Sequence, residues 1–107
     1  MEFLNKVEIK GVVGATSKLP LSDGKTQVRF SVVTEYTYKT DDGIPIVEHQ
    51  WLYCVAITDM EISKGEKVHV IGRLRTRRYT DNTEERTITE VVVHSVELIE
   101  RAEDGRM

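Results

Sequence analysis

The sequence predicts an all-β domain of five strands that close, fully or partly, into a small barrel. Three observations support this prediction: apolar β-like runs recur five times, turn signals separate them, and no interval leaves room for a long helix. Glycines inside the first and fourth runs are typical of the corners of a small barrel. On this pattern alone, an SH3-like barrel is the alternative topology.

The chain of 107 residues is long enough for one core, so we expect a single domain at 1–100 and a short polar tail at 101–107. The N-terminus has no apolar run of signal-peptide length, and no stretch of about 18 apolar residues occurs. We therefore expect a cytoplasmic protein without membrane contact. Cys54 is the single cysteine and lies within WLYCVAI, which indicates a buried small hydrophobe more than a nucleophile.

The first predicted strand, 7–13, alternates Val7 and Ile9 with charged residues, and its edge could pair with the same strand of a second copy across a two-fold axis, which would extend the sheet. Gly11 and Gly14 predict a bulge or a tight bend. A polar connection follows at 15–20, and Asp23 and its glycine neighbour predict a chain reversal at 22–25.

The second strand, 26–40, is long enough to extend past the core with Tyr36, Tyr38 and Lys39 on the extension. Exposed rings beside a cation suit the stacking of bases, although a hairpin held by cross-strand aromatic pairs is an equally physical alternative. After a turn at 41–43, the third strand runs over 44–57, with Trp51 and Tyr53 on one face and Leu52 on the other. The alternative for Trp51 is simple packing in the core.

Residues 58–64 could form at most about two helical turns. The fourth strand, 68–79, then carries most of the concentrated positive charge of a chain whose net charge is −3. In an extended strand Arg73, Arg75 and Arg77 share one face with Tyr79, and Arg78 lies next to them. Guanidinium groups bind phosphates and rings stack on bases, so this row suits a single-stranded nucleic acid. A solvated edge strand is the alternative. Asp81 and Asn82 predict the turn that follows this strand.

Several function classes lack support in the sequence. A phosphate-binding glycine loop and a dinucleotide fingerprint are both absent. His49, His69 and His94 lie far apart without ligand-like neighbours, so we expect structural or surface histidines, no metal and no cofactor. No catalytic constellation can be assigned, and the prediction is a protein without catalytic activity.

The order of the motifs is more specific than any one of them. The chain's own pattern predicts the fifth strand at 86–99. The bacterial single-stranded DNA-binding protein family is what the sequence resembles over nearly the whole domain, through the segments LNKVEIKGVVG, DGKTQVRFSVVTEY, HQW, KGEKVHVIGRLRTRRY and TITEVVV. The resemblance implies an oligonucleotide/oligosaccharide-binding (OB) barrel. It also implies a homotetramer that wraps single-stranded DNA by stacking bases on aromatic side chains.

The resemblance assigns roles to particular positions. The stacking tryptophans of the family correspond to Tyr38, Trp51 and Tyr79, and a stacking phenylalanine corresponds to Ile57, which cannot stack. A family histidine near subunit contacts is Leu52 here, so both a dimer and a tetramer are compatible with the sequence.

Two departures from the family pattern are larger. The family helix between the third and fourth strands is reduced to about a turn, and the chain stops without the acidic tip that recruits replication enzymes, so we expect no recruitment by that route. In outline the chain is also similar to primosomal replication protein N, a dimeric relative that acts in replication restart.

The leading hypothesis is a non-catalytic, sequence-tolerant binder of single-stranded DNA, or of RNA, that acts in DNA replication, recombination or repair near the nucleoid. The alternative is an interaction module whose arginine row docks an acidic peptide.

Overall fold

The structure, a computed structural model, describes residues 1–101 and contains five strands and no helix there. The strands are β1 (Val7–Pro20), β2 (Thr26–Lys39), β3 (Pro45–Ile57), β4 (Lys67–Asp81) and β5 (Glu84–Glu100). They form a closed barrel in the order β1-β2-β3-β5-β4, which confirms the all-β barrel. Of the predicted polar tail, residues 102–107 lie outside the described part of the chain.

Strand β1 is longer than predicted, and the polar connection expected at 15–20 is wrong. Val7–Val12 pair with β4, and from Val12 onward the strand pairs with β2 as far as Pro20. A register shift between Val13 and Ala15 places the predicted bulge at Gly14. The second half is exposed on both faces, so it lacks the apolar alternation that marks a strand.

The predicted turns are present, with one displaced by a residue. Gly24 and Gly43 adopt the left-handed backbone conformation in the β1–β2 and β2–β3 turns, where a side chain would be strained. Between β4 and β5 the turn residues are Asn82 and Thr83, both with positive φ, instead of the predicted Asp81 and Asn82.

The core is built mainly from valines on the inward faces of the strands. Val28, Phe30 and Val32 of β2 are buried together, as their alternation predicts. They pack against Val13, Cys54, Ala56, Ile62, Val68, Val70 and Val91. Burial raises the pKa of the Cys54 thiol to about 12, so this cysteine is an inert core residue, as expected.

The connector between β3 and β4 forms no helix, not even the single turn that was expected. Instead, the Ile62 side chain inserts into the core and is 1% exposed. The Ser63 amide donates to the Glu66 carboxylate at 2.8 Å, and the Glu66 amide donates to the Ser63 carbonyl at 3.2 Å. One apolar side chain and a reciprocal pair of hydrogen bonds therefore occupy the place of a helix.

Strands β3 and β5 touch only briefly. Their parallel pairing consists of Cys54 with Val91 and Val55 with Val92, and beyond it the two strands separate. The β2–β3 hairpin continues away from the barrel as the β2–β3 arm, residues 34–50, and the β4–β5 hairpin continues as the β4–β5 arm, residues 73–90. The radius of gyration, 16.5 Å, exceeds the roughly 13 Å of a compact domain of this length, as projecting arms require.

Candidate nucleic-acid interface

The divergence of β3 and β5 opens a groove at the base of the two arms. A cavity of about 250 Å³ lies there, with Trp51 and Tyr53 on the β3 side and Leu74 and Glu90 on the other. The Asn5 side chain fixes the edge of β4 at this level, because its amide exchanges two hydrogen bonds of 2.9 Å with the Leu74 backbone.

The predicted arginine row is organised around a buried carboxylate. Arg75 and Arg77 of β4 both donate to Oε2 of Glu90, and the Arg77 distance is 3.1 Å. Arg29 of β2 donates to Oε1 at 3.2 Å. The Glu90 side chain is 1% exposed, whereas each arginine side chain is about a third exposed or slightly more. We call Arg29, Arg75, Arg77 and Glu90 the arginine–glutamate cluster.

The cluster holds an ionised carboxylate and a net charge of +2. Burial by itself raises the pKa of Glu90, but the hydrogen bonds from Arg75, Arg77 and Arg29 outweigh it, and the pKa lies below its usual value. The Nε atom of Arg75 is a buried donor without a partner among residues 1–101. Each guanidinium carries five N–H donors and donates one hydrogen bond to Glu90, so its exposed part can still bind a phosphate.

The other two arginines of the row are outside the cluster. Arg73 is exposed and makes no ion pair within residues 1–101. Arg78 is exposed and lies 3.8 Å from the exposed Glu85 carboxylate, an arrangement that contributes at most about 1 kcal/mol. Both side chains can therefore turn toward a phosphate at little cost.

Three aromatic side chains lie on the same outward-facing side as the cluster. Trp51 and Tyr53 are the cross-strand partners of Val33 and Ser31, and they are 49% and 55% exposed. The Arg77 guanidinium carbon lies 5.9 Å from the centre of the Tyr79 ring, which confirms that these two residues share a face. Trp51 is thus not a core residue.

Gly14 supports the Trp51 ring from below. A Cβ atom at Gly14 would overlap the ring, approaching Cη2 to 2.7 Å. The bulge in β1 therefore brings a backbone without a side chain under the indole.

Tyr36 and Tyr38 lie on the opposite side of the β2–β3 arm from Trp51. The register between β2 and β3 is unbroken from Gln27 to Lys39, so the even-numbered residues of β2 continue the face that begins in the core. The Tyr36 and Tyr38 rings are 6.0 Å apart, and the Tyr38 hydroxyl donates to Glu48 at 3.5 Å. Lys39 is exposed at the end of the strand. The β2–β3 hairpin therefore has aromatic side chains on both faces, with Tyr36 and Tyr38 on one face of the arm and Trp51 on the other face at its base.

The residues predicted for self-association have a second role. Val7, Ile9 and Leu52 pack against the core, so their apolar character is partly explained within one chain. From Val7 to Gly11, β1 has a strand partner only on its β4 side among residues 1–101. Ile57, for which the resemblance predicts the position of a stacking phenylalanine, is 53% exposed at the end of β3.

His69 and His49 each lie close to carboxylates. His69 Nε2 lies 2.6 Å from Glu8, and its Nδ1 lies 3.5 Å from Glu97. His49 lies 3.3 Å from Glu35. Within residues 1–101, no group of three or more potential ligands is arranged to hold a metal ion. No helix there is long and apolar enough to cross a bilayer.

Sequence reasoning missed Arg29 and Glu90. Arg29 interrupts the apolar run of β2, and Glu90 directly precedes three valines, so both are charged residues at positions that look half-buried. Their contact depends on two register relationships and on the brief meeting of β3 and β5, which no local pattern reveals.

Comparison with known families agrees with this architecture. A family model described as "Single-strand binding protein family" matches residues 4–99. The chain belongs to this family. Family membership covers the barrel, both arms and every residue proposed for the interface.

Individual relatives have low sequence identity to this chain but match most of its length. Single-stranded DNA-binding protein 1 of Xylella fastidiosa is 29% identical over 98% of this chain and 84% of its own length. The single-stranded DNA-binding protein of Bacteroides thetaiotaomicron is 32% identical, with coverage of 90% of this chain and 66% of its own length. This chain thus spans about two thirds of the second relative.

Solved structures share the fold. The chain superimposes on Plasmodium falciparum SSB, solved in complex with ssDNA, with a TM-score of 0.77 and 25% identity, over 94% of this chain and 97% of the other. A deletion mutant of the Thermus aquaticus single-stranded DNA-binding protein has a TM-score of 0.77 at 16% identity, over 91% and 51% of the two chains. The predicted OB fold is therefore confirmed.

Proposed function

We propose that this protein binds single-stranded DNA without catalysis and with little sequence preference. The observation that carries the proposal is the juxtaposition on one face of half-exposed Trp51 and Tyr53 with the arginine–glutamate cluster. Family membership supports the proposal, as does the likeness to a structure solved with ssDNA. Such a ligand fits a role in DNA replication, recombination or repair in the cytoplasm.

Rings and guanidinium groups have different tasks in this mechanism. Trp51, Tyr53 and Tyr79 stack on bases, and each stacked ring contributes about 1–3 kcal/mol with little sequence preference because every base has a π-face. Arg29, Arg73, Arg75 and Arg77, together with one buried carboxylate, give the face a net charge of +3, and Arg78 adds a cation on the other side of β4. The positive charge is local, so the overall negative charge of the chain does not prevent phosphate binding.

The β2–β3 arm sets the path of the strand. Because Tyr36 and Tyr38 lie behind Trp51, DNA that contacts all three rings passes around the arm, with Lys39 at its tip. We propose this path as the way in which one chain begins to wrap its ligand.

A fluorescence titration tests the proposal, since Trp51 is the single tryptophan. Oligo-dT of several lengths is expected to quench its emission. If about four phosphates are neutralised, log K falls with log salt at a slope of roughly −3. Unchanged fluorescence with dT, or equal affinity for duplex and single strand, would contradict the proposal. A parallel titration with oligo-rU measures the preference for DNA over RNA.

The second candidate is a protein-docking module on the same face. Tyr, Trp and Arg residues are frequent hot spots of protein interfaces, and an acidic peptide would complement the exposed arginines. An acidic peptide that binds tightly while dT does not would favour this candidate, as well as a role in replication restart through protein contacts.

A further inference from the structure

A second concavity lies on the outward face, on the side of Tyr53 away from Trp51. It has a volume of about 260 Å³, is open to solvent, and is lined by residues of β1, β2 and β3 and by Ile88 of β5. Three of its outward-facing residues are small, because Ala15 is paired with Ser31 and Ser17 lies opposite Arg29. The volume is slightly below the 300–1,000 Å³ of sites for drug-sized ligands, so the concavity suits a single ring system.

The Tyr53 ring forms one wall of this cavity. Tyr53 is the cross-strand partner of Ser31, so its ring stands at the end of the row of small residues. Tyr53 also lines the groove that contains Trp51. The same tyrosine therefore separates two adjoining spaces, and a strand that crosses it could place successive bases in each.

The charged group of the cavity is already oriented. Arg29 lines the cavity and uses one Nη1 donor on Glu90 Oε1, at 3.2 Å, while its remaining donors stay available. Arg77, the cross-strand partner of Ile88, is held on the other oxygen of the same carboxylate. Because Glu90 is buried beneath both guanidinium groups, it fixes them without occupying the surface that a phosphate would approach.

We propose that this cavity is a nucleotide subsite, in which one base lies against Tyr53 and Arg29 binds an adjacent phosphate. Glu90 acts as a positioning residue for that arginine, and the hydroxyls of Ser17 and Ser31 face the edge of the base. The subsite rests on the proposed function, and it extends the interface beyond the arginine row of β4 to strands β1 and β2.

A matched pair of serine variants tests the subsite. Ser17→Leu fills the cavity from an exposed position, whereas Ser95→Leu makes the same change at an exposed position of β5 outside it. Ser17→Leu is expected to weaken binding of a dT oligomer about tenfold, as the loss of one stacked base would, and Ser95→Leu is expected to bind like wild type.

The outcomes separate the subsite from the proposed function. Wild-type affinity in Ser17→Leu, with quenching of Trp51 intact, would overturn the subsite alone. Failure of the wild-type protein to bind dT would overturn the proposed function.

Titration of the wild-type protein with dTMP, thymidine and inorganic phosphate, followed by NMR, gives a readout that needs no variant. We expect saturable dTMP shifts at Ser17, Ser31 and Tyr53, and weaker shifts with either fragment. Shifts confined to the two arms would overturn the subsite even if Ser17→Leu did not fold.

Discussion

At the scale of single residues, Glu90 determines how the arginines of the interface are arranged. A buried carboxylate is costly unless it is paired, and here guanidinium groups from two strands supply the pairing. Those arginines gain fixed positions in return, because three long side chains converge on one anchor. The row is thus a preorganised array in its centre, with freer arginines at Arg73 and Arg78.

The variant Glu90→Gln tests this role through stability. In the wild-type protein the pKa of Glu90 is lowered, so the ionised carboxylate stabilises the fold above the usual carboxyl pKa of about 4.3. This contribution is lost as the pH falls through the lower pKa of the folded state. We expect the variant to lose about 1–3 kcal/mol at pH 7 by urea unfolding. Below about pH 4 the difference from wild type should shrink. A difference that is independent of pH would contradict ionisation of Glu90.

Gly14→Ala tests the support of Trp51. The added Cβ overlaps the indole, whose outer part is free to move, so the ring should shift while the barrel stays closed. We expect an altered emission maximum, several-fold weaker binding of dT and an unfolding free energy within about 1 kcal/mol of wild type. An unchanged emission spectrum and unchanged affinity would show that the ring does not rest on Gly14.

At the scale of elements, alternation predicted each of the five strands and the faces of β2, β3 and β4. It missed the second half of β1, where both faces are exposed to solvent and apolar and polar residues therefore do not alternate. The exposure of Trp51 was left open, because apolar residues on both faces of β3 do not reveal which face is covered. The opposite placement of Tyr38 and Trp51 follows from cross-strand pairing across the arm, which alternation within one strand does not show.

The connector between β3 and β4 closes one end of the barrel without a helix. Ile62→Ala should cost about 2–4 kcal/mol in unfolding free energy, because it leaves a cavity at the end of the barrel that the connector closes. Affinity for dT at a temperature where the variant is folded should not change. Ile57→Ala is the matched control, since that side chain is exposed, and it should cost less than about 1 kcal/mol. Equal costs for the two variants would contradict the proposed role of Ile62.

At the scale of the whole molecule, we expect the edge of β1 that is unpaired within residues 1–101 to mediate self-association. Residues 7–11 have a strand partner on one side only within the described part of the chain, and an exposed edge is stabilised by pairing with its copy across a two-fold axis. We expect light scattering at micromolar concentration to give twice the chain mass or more. A stable monomer would contradict pairing through β1 and would weaken the idea of wrapping.

The two arms and the barrel between them form one continuous candidate path for a strand of DNA. It runs from the nucleotide subsite past Tyr53 and Trp51 to the arginines of β4, with Tyr36 and Tyr38 behind the arm. The outward face is therefore a connected surface, and the central claim is that DNA lies on it.

Photocrosslinking with oligo-dT that carries 5-iodouracil, followed by peptide mass spectrometry, tests that claim most directly. Crosslinks are expected at Trp51, Tyr53 and Tyr79, and they should disappear when unlabelled oligo-dT competes. Crosslinks confined to residues away from these three rings, or no competable crosslinks, would contradict the account.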